Sequence, residues 1–394
     1  MKKNAPALFL FQRIAAGVAV FFAACSARFP AGGRAAGAPT AAEILTAVMP
    51  AAMADGYVKV AMVRNLAAGD HTRQFLEGAA AEGRALGFTV DTFFTGGDDE
   101  KCRQLIARIS RADYDGLILS HGGAGFTGET LRPAVERGVQ VVTFDALPFR
   151  DSAGAEQLLP GVTSTAQNDE RLALLSLDAL IEHFGGRRVK VIRIFPGPGI
   201  APLDRRQEVY DAYVRQGRIE EAALVIPRDF AFARSGVREA LAAALNRFPP
   251  GTVDAIWAPY DEFAKGCVDA LAGAGRKDIV LASIDISNDD IRLMLDHADI
   301  WLAAAALDPA AGGAVNMRIL AAKFAGAATP ERWIFDVYLV RTADLDQTSN
   351  MGNIAEVLPL WGAAAGLFDG YPWMAALRGA PPEKAAFSAG RAAR

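Results

Sequence analysis

VDAIWAPYDEFAKGCVDALAGAGRKDIVLASID, residues 253–285, decides the fold. Residues 253–257 are apolar, with β-branched and aromatic members, and Pro259 ends the run, which predicts a short strand. From Asp261 the apolar residues Phe263, Ala264, Cys267, Val268 and Leu271 recur at three and four, so they share one helix face. Asp261 and Glu262 suit the positive end of that helix, and Gly273 with Gly275 suit its exit. Residues 278–284 form a second apolar strand with Asp285 at its carboxyl end. Strand, helix and strand make a right-handed βαβ unit of a parallel sheet. Ligands bind at the carboxyl ends of such strands. The unit therefore brings Tyr260, Asp261 and Asp285 to one rim.

The same alternation runs outward in both directions. Toward the N-terminus, strands are expected at 57–63, 88–93, 115–120 and 139–144, with helices at 72–86, 100–109 and 130–137 between them. Asp145 ends the fourth of these strands, and His121-Gly122-Gly123 follows the third, as a cleft-lining segment or a plain glycine turn. Beyond a strand at 163–168, helices at 169–184, 204–214 and 234–246 alternate with strands at 188–195 and 221–226. After the opening unit come an apolar strand at 301–307, a helix from Asp308-Pro309 through 324, and a strand over 333–340. The Pro-Gly-Pro-Gly turn at 196–199 is not a phosphate loop: its prolines lack amide donors, and no Gly-Lys-Ser/Thr follows.

The P-Y-D-E-x-A-x-G-x-x-x-A-L-x-x-A-G pattern of 259–275, followed by a strand ending in Ile284-Asp285, resembles the periplasmic sugar-binding proteins of ABC importers. The ribose-binding type is the nearest pattern, over roughly residues 57–341, and LacI-like repressors share its core. The resemblance implies an α/β chain of two doubly wound parallel-sheet lobes on a three-segment hinge, the type I periplasmic-binding-protein fold. The expected crossings lie near Ser164, Leu307 and Leu339. The expected boundaries are a first lobe of 57–163 with 308–337, and a second of 164–307 with 338–378. By the same resemblance Asp145 and Asp285 accept sugar hydroxyls, Asp229-Phe230 puts an aromatic ring over the ligand, and Arg205 or Arg206 supplies a cation, although Asp204 competes for that register. Tyr260, His121, Asn65 and Asp308 complete the candidate set. His71 and Thr72 stand where the family has stacking aromatics, Ala146 where it often has Arg, and Leu307 where it often has Gln. These departures put ribose itself in doubt.

The 394 residues are 52% hydrophobic and 22% charged, which is globular composition with room for two domains. Net charge is −4, and the first 24 residues carry Lys2, Lys3 and Arg13 with no acid, so the body is more acidic still. That argues against a nucleic-acid partner. A basic start and an apolar run at 14–24 predict a secretory signal over 1–24. Phe22-Ala23-Ala24-Cys25 resembles a lipoprotein box, so the protein is placed in the periplasm with Cys25 lipidated or with cleavage near Ala27. Residues 25–56 then form a tether and 379–394 a disordered tail, and the aromatics Trp361, Phe368, Tyr371 and Trp373 between them pack on the surface. Three cysteines without a CxxC and four scattered histidines indicate neither a metal site nor a cofactor. No nucleophile motif or phosphate loop is present, so binding is favoured over catalysis, with Asp145 and Asp285 as the acid–base pair of the enzyme alternative. The expected ligand is a neutral sugar or polyol, with an acidic sugar as rival because of Arg64 and the Arg205/Arg206 pair. The expected partner is an ABC import permease, with a sensory role as the alternative, and the protein is expected to be monomeric. Asp285 has no cation near it in sequence, so it either meets the ligand or caps the helix beginning near Asp289.

Overall fold

The computed structural model describes Met53 and residues 56–378, apart from 67, 123, 147–148, 151–155, 158 and 228–231. The expected signal segment, Cys25, nearly all of the tether, Asp229-Phe230 and the 379–394 tail lie outside the described residues. The first half runs β1 (Lys59–Arg64), α1 (Asp70–Ala85), β2 (Thr89–Phe94), α2 (Asp99–Ile109), β3 (Gly116–Gly122), α3 (Ala124–Glu136) and β4 (Gln140–Ala146). A small antiparallel hairpin, β5 (Phe149–Arg150) with β6 (Glu156–Gln157), precedes β7 (Val162–Gln167). The second half runs α4 (Asp169–His183), β8 (Val189–Ile194), α5 (Ala201–Arg215), β9 (Ile219–Val225), α6 (Ala233–Leu245), β10 (Ala255–Ala258), α7 (Asp261–Gly273), β11 (Val280–Ile284), α8 (Asn288–Asp296) and β12 (Trp301–Ala306). Helix α9 (Pro309–Phe324), β13 (Arg332–Phe335), β14 (Tyr338–Arg341) and a last helix α10 (Pro372–Arg378) follow.

These strands form two six-stranded sheets, ordered β13-β7-β4-β3-β1-β2 and β14-β12-β11-β10-β8-β9. All pairs of the first sheet are parallel, and β14 alone runs antiparallel in the second. Central strands such as β1 and β10 are apolar almost throughout because helices cover both sheet faces. The two-lobed α/β architecture expected from the sequence is therefore present. Two of the three crossings are shifted from their expected places. The 162–167 strand is paired with β4, so the first crossing falls at Asn168 rather than Ser164. The second falls at Leu307. The run 333–340 is not one strand: β13 pairs with β7 and β14 with β12, so the chain changes sheet at Asp336-Val337.

Helices α1 and α9 press together without room for side chains. A Cβ on Gly78 would meet the carbonyl oxygen of Ala310 at 2.2 Å, and one on Gly313 that of Phe75 at 2.2 Å. Only glycine permits this approach. The segment after β14 corrects another expectation. Trp361 and Trp373 do not lie on the surface; they are 2% and 7% exposed. Ile354 and Trp361 join the core of the second lobe. Further on, Arg318 of α9 is paired with Glu82 of α1 and donates to the carbonyls of Ala365 and Leu367. Arg378 closes onto Glu82 and Asp369. The segment thus packs on the second lobe and then on the first, as a strap beside the hinge.

Candidate functional site

Strand β1 ends in Arg64, whose side chain is wholly buried. Its Nη1 donates to Ser120 Oγ at 2.8 Å, its Nη2 meets His71 Nδ1 at 3.0 Å, and its Nε reaches Thr72 Oγ1 at 3.4 Å. The guanidinium lies 4.4 Å from the Phe75 ring centroid. Burial pulls its pKa down to about 10, which leaves it charged at neutral pH. Burial and then Arg64 push His71 down to about 3, so that imidazole is neutral. His121 is likewise held well below its ordinary value, by burial and then Arg64, and its Nδ1 sits 2.9 Å from Ser120 Oγ.

Asp145, at the end of β4, is 5% exposed. Its Oδ1 accepts from the Gln167 amide at 3.1 Å, and its Oδ2 has no partner among the described residues. Burial and then Asp169 raise its pKa to about 8. On the second lobe, Arg206 of α5 is 2% exposed and binds three acceptors: Asp169 Oδ1 at 2.8 Å, the Pro259 carbonyl at 2.7 Å and Asp285 Oδ2 at 3.2 Å. Arg205 donates to Asp169 Oδ2 at 2.9 Å from Nε and 2.5 Å from Nη2. Asp204 instead accepts from the Gly199 amide at 2.9 Å, which places Arg206, not Asp204, inward. Asp285 therefore has a cation partner that sequence proximity did not reveal. Its other oxygen, Oδ1, is buried without a partner among the described residues, and burial raises its pKa against the opposing pull of Arg206. It is not the helix cap; the Ser287 hydroxyl accepts from the Asp290 amide at 3.4 Å in that role.

His121, Asp145 and Asp285 share one backbone feature. Their φ angles are 62°, 49° and 70°, the left-handed region that costs non-glycine residues energy. All three sit at or just beyond strand ends, where the chain must turn sharply while aiming a polar side chain. Tyr260 is 8% exposed and meets Phe263 edge-on at 5.3 Å. Next to it, Lys265 is buried among Glu262 at 2.6 Å, Asp290 at 3.4 Å and Asp261 at 3.5 Å. Two candidates have structural duties. Asn65 donates to Asp99 Oδ1 at 2.7 Å and accepts from Thr95 at 2.5 Å, tying β1 to the next loop. Asp308 caps α9 through the amides of Ala310 and Ala311 at 2.9 and 3.2 Å.

The two rims face one another. The Asn288 amide of the second lobe donates to Asp70 Oδ2 of the first at 2.9 Å. Beside the first crossing, a cavity of about 530 Å³ is lined by Asp145, Gln167, Asp169, Arg205 and Arg332, among others. Arg64, named from the sequence only as a reason to consider an acidic sugar, belongs to this constellation, as do Ser120, Gln167, Asp169 and Lys265, which the sequence did not single out. Only Arg64 carried a signal in sequence, as a charged residue closing an apolar strand. Among the described residues no group of His, Cys, Asp and Glu could hold a metal ion, and no helix is long and apolar enough to cross a membrane.

The family described as periplasmic binding protein domain matches residues 60–328. A search of curated protein sequences returns no match. Among solved structures, a sugar ABC transporter protein of Yersinia enterocolitica is 35% identical, covers 84% of this chain and 97% of its own, and superposes with a TM-score of 0.76. The 5-methylthioribose transporter solute-binding protein of Thermotoga lettingae, in complex with 5-methylthioribose, is 27% identical over 82% of this chain and 98% of its own, with a TM-score of 0.71. A glucose-galactose binding protein of Geobacillus stearothermophilus, 19% identical over 73% of this chain and 99% of its own at a TM-score of 0.62, shares the fold.

Proposed function

Because the chain belongs to the periplasmic binding protein family, we propose that it is the solute-binding subunit of an ABC importer and captures a small sugar or polyol between its lobes. One observation carries the ligand class. Asp145 Oδ2 and Asp285 Oδ1 are buried acceptors, one on each lobe, and neither has a partner among the described residues. An orphaned buried carboxylate oxygen is costly, and ligand hydroxyl donors would satisfy it. The flanking Arg206 holds Asp285 in place and keeps the lobe's own charge matched. The sugar ABC transporter protein of Yersinia and the Thermotoga protein with bound 5-methylthioribose support the same class. The Ser120 hydroxyl beside His121 is engaged by the Arg64 guanidinium, and no described group could hold a metal, so we assign the carboxylates binding rather than chemistry.

The protein works as a monomer in the periplasm and hands its ligand to a membrane permease. Anchoring through Cys25 is tested by labelled-palmitate incorporation into the wild type and Cys25→Ser. The ligand is tested by a thermal-shift screen over pentoses, hexoses, polyols and their derivatives, followed by calorimetry on the hits. We expect one class to raise the melting temperature and bind one to one. A screen in which no polyhydroxylated compound shifts the transition overturns the assignment.

A further inference from the structure

The hydrogen-bond chain through Arg64 fixes more than position. A guanidinium only donates, so the His71 Nδ1 that faces Arg64 Nη2 at 3.0 Å is an acceptor. The neutral His71 ring therefore carries its proton on Nε2. Ser120 Oγ accepts from Arg64 Nη1 at 2.8 Å and has its own hydrogen left to give. It meets His121 Nδ1 at 2.9 Å. His121 is a neutral ring whose proton sits on Nε2 if Ser120 donates, or on Nδ1 if Ser120 accepts from both neighbours. Beyond these bonds Arg64 Nη1 and Nη2 each keep one further N–H, and His71 keeps its Nε2–H. The first-lobe wall offers a cluster of donors built around one cation.

Charge matching separates this cluster from the rest of the cleft. Arg205 and Arg206 are paired with Asp169, and Arg206 also with Asp285. Lys265 has its own carboxylates. Arg64 is as deeply buried as any of them, yet its contacts are a threonine, a serine, a histidine and a phenylalanine ring, with no ion pair among the described residues. Asp145, Asp285 and Asp261 act on Arg64 only through space and favour its charged form, so no carboxylate occupies its guanidinium directly and a ligand group can meet it there.

We propose that the ligand is a sugar acid whose carboxylate seats on Arg64, flanked by His71 and His121, while its hydroxyls donate to Asp145 and Asp285. This deepens the sugar assignment above and rests on it. A carboxylate offers two oxygens with about four lone-pair positions, which suits the outward N–H donors of Arg64 and His71. One guanidinium without a direct ion pair fits one negative charge, which favours an aldonic or uronic acid over a phosphorylated sugar with its charge near −2. It also departs from the neutral ligand that strand-end carboxylates alone suggested.

The test is calorimetric titration of matched pairs: D-galacturonate against D-galactose, D-gluconate against D-glucitol, and D-ribonate against D-ribitol, with D-ribose 5-phosphate alongside. Each is run on the wild type and on Arg64→Gln. We expect at least one acid to bind tenfold or more tighter than its neutral partner. We expect Arg64→Gln to cost that acid more than tenfold beyond any loss for the partner. Should Arg64→Gln fail to fold, the wild-type selectivity within each pair, and its weakening with added salt, decide the matter. Neutral members binding as tightly as their acids overturn the acidic group and leave the sugar assignment standing. Tightest binding by the phosphate overturns the carboxylate. No binding by any member overturns both assignments.

Discussion

Replacing Asp285 separates its roles. The unliganded protein holds Arg206 with Asp169, the Pro259 carbonyl and Asp285. Removing one partner of a buried pair costs about 3–5 kcal/mol when the remaining charge is left alone. Arg206 keeps Asp169 and a carbonyl here, so Asp285→Asn should lower ligand-free stability by roughly 1–3 kcal/mol, the lower part of what a charged hydrogen bond and its desolvation contribute. The backbone adds a second effect. At φ 70° an alanine suffers the left-handed penalty of about 1–2 kcal/mol that glycine escapes. Asp285→Ala should therefore be about 1 kcal/mol less stable than Asp285→Gly, the reverse of the usual alanine–glycine order. Loss of the Oδ1 acceptor should weaken ligand binding by about 1.5–3 kcal/mol, roughly ten- to 150-fold. Urea unfolding of the three ligand-free variants and calorimetry on the screened ligand measure both effects. Wild-type stability and affinity in Asp285→Asn would refute the pairing and the acceptor role together, and equal stability of the Ala and Gly variants would refute the backbone argument.

Other expectations follow from the same geometry. Asp145 in the folded protein is pushed up to about 8, far above its unfolded range, so the folded state holds a proton that the unfolded chain has lost. Its contribution to stability is thus present at low pH, falls as pH rises from about 4 toward 8, and levels beyond. Asp145→Asn should flatten that part of the curve in urea midpoints taken from pH 5 to 9; an unchanged slope would remove Asp145 as its source. At pH 7, a ligand whose hydroxyl donates to Asp145 should expel up to about one proton, read from binding heats in buffers of different ionisation enthalpy. Trp373→Ala, in the strap, should cost about 3–5 kcal/mol as a buried large-to-small change, and a melting temperature within a degree of wild type would show that the strap is peripheral.

Much of this was legible in the sequence. The βαβ unit around Trp257 and Val268, its neighbours, and the delivery of Asp145 and Asp285 to strand ends follow from periodicity and turn chemistry, because apolar strands and amphipathic helices encode their own faces. What escaped depends on separation in sequence. Asp169 meets Arg205 and Arg206 across 36 and 37 residues, and Arg206 meets Asp285 across 79, so no local pattern announces the pairing. The run 333–340 has one apolar character, and only the third dimension reveals that Asp336-Val337 passes between sheets. Trp361 and Trp373 lie in helical pieces too short to show a period that would point an aromatic inward.

Capture of the ligand between the lobes is the central claim, and the Asn288–Asp70 hydrogen bond joins the two rims over the cleft. Small-angle scattering of the protein without ligand and with the calorimetrically verified ligand at saturation tests it most directly. The radius of gyration should fall on binding, as the lobes rotate about the crossings at Asn168, Leu307 and Asp336-Val337. Equal radii with ligand demonstrably bound would contradict it.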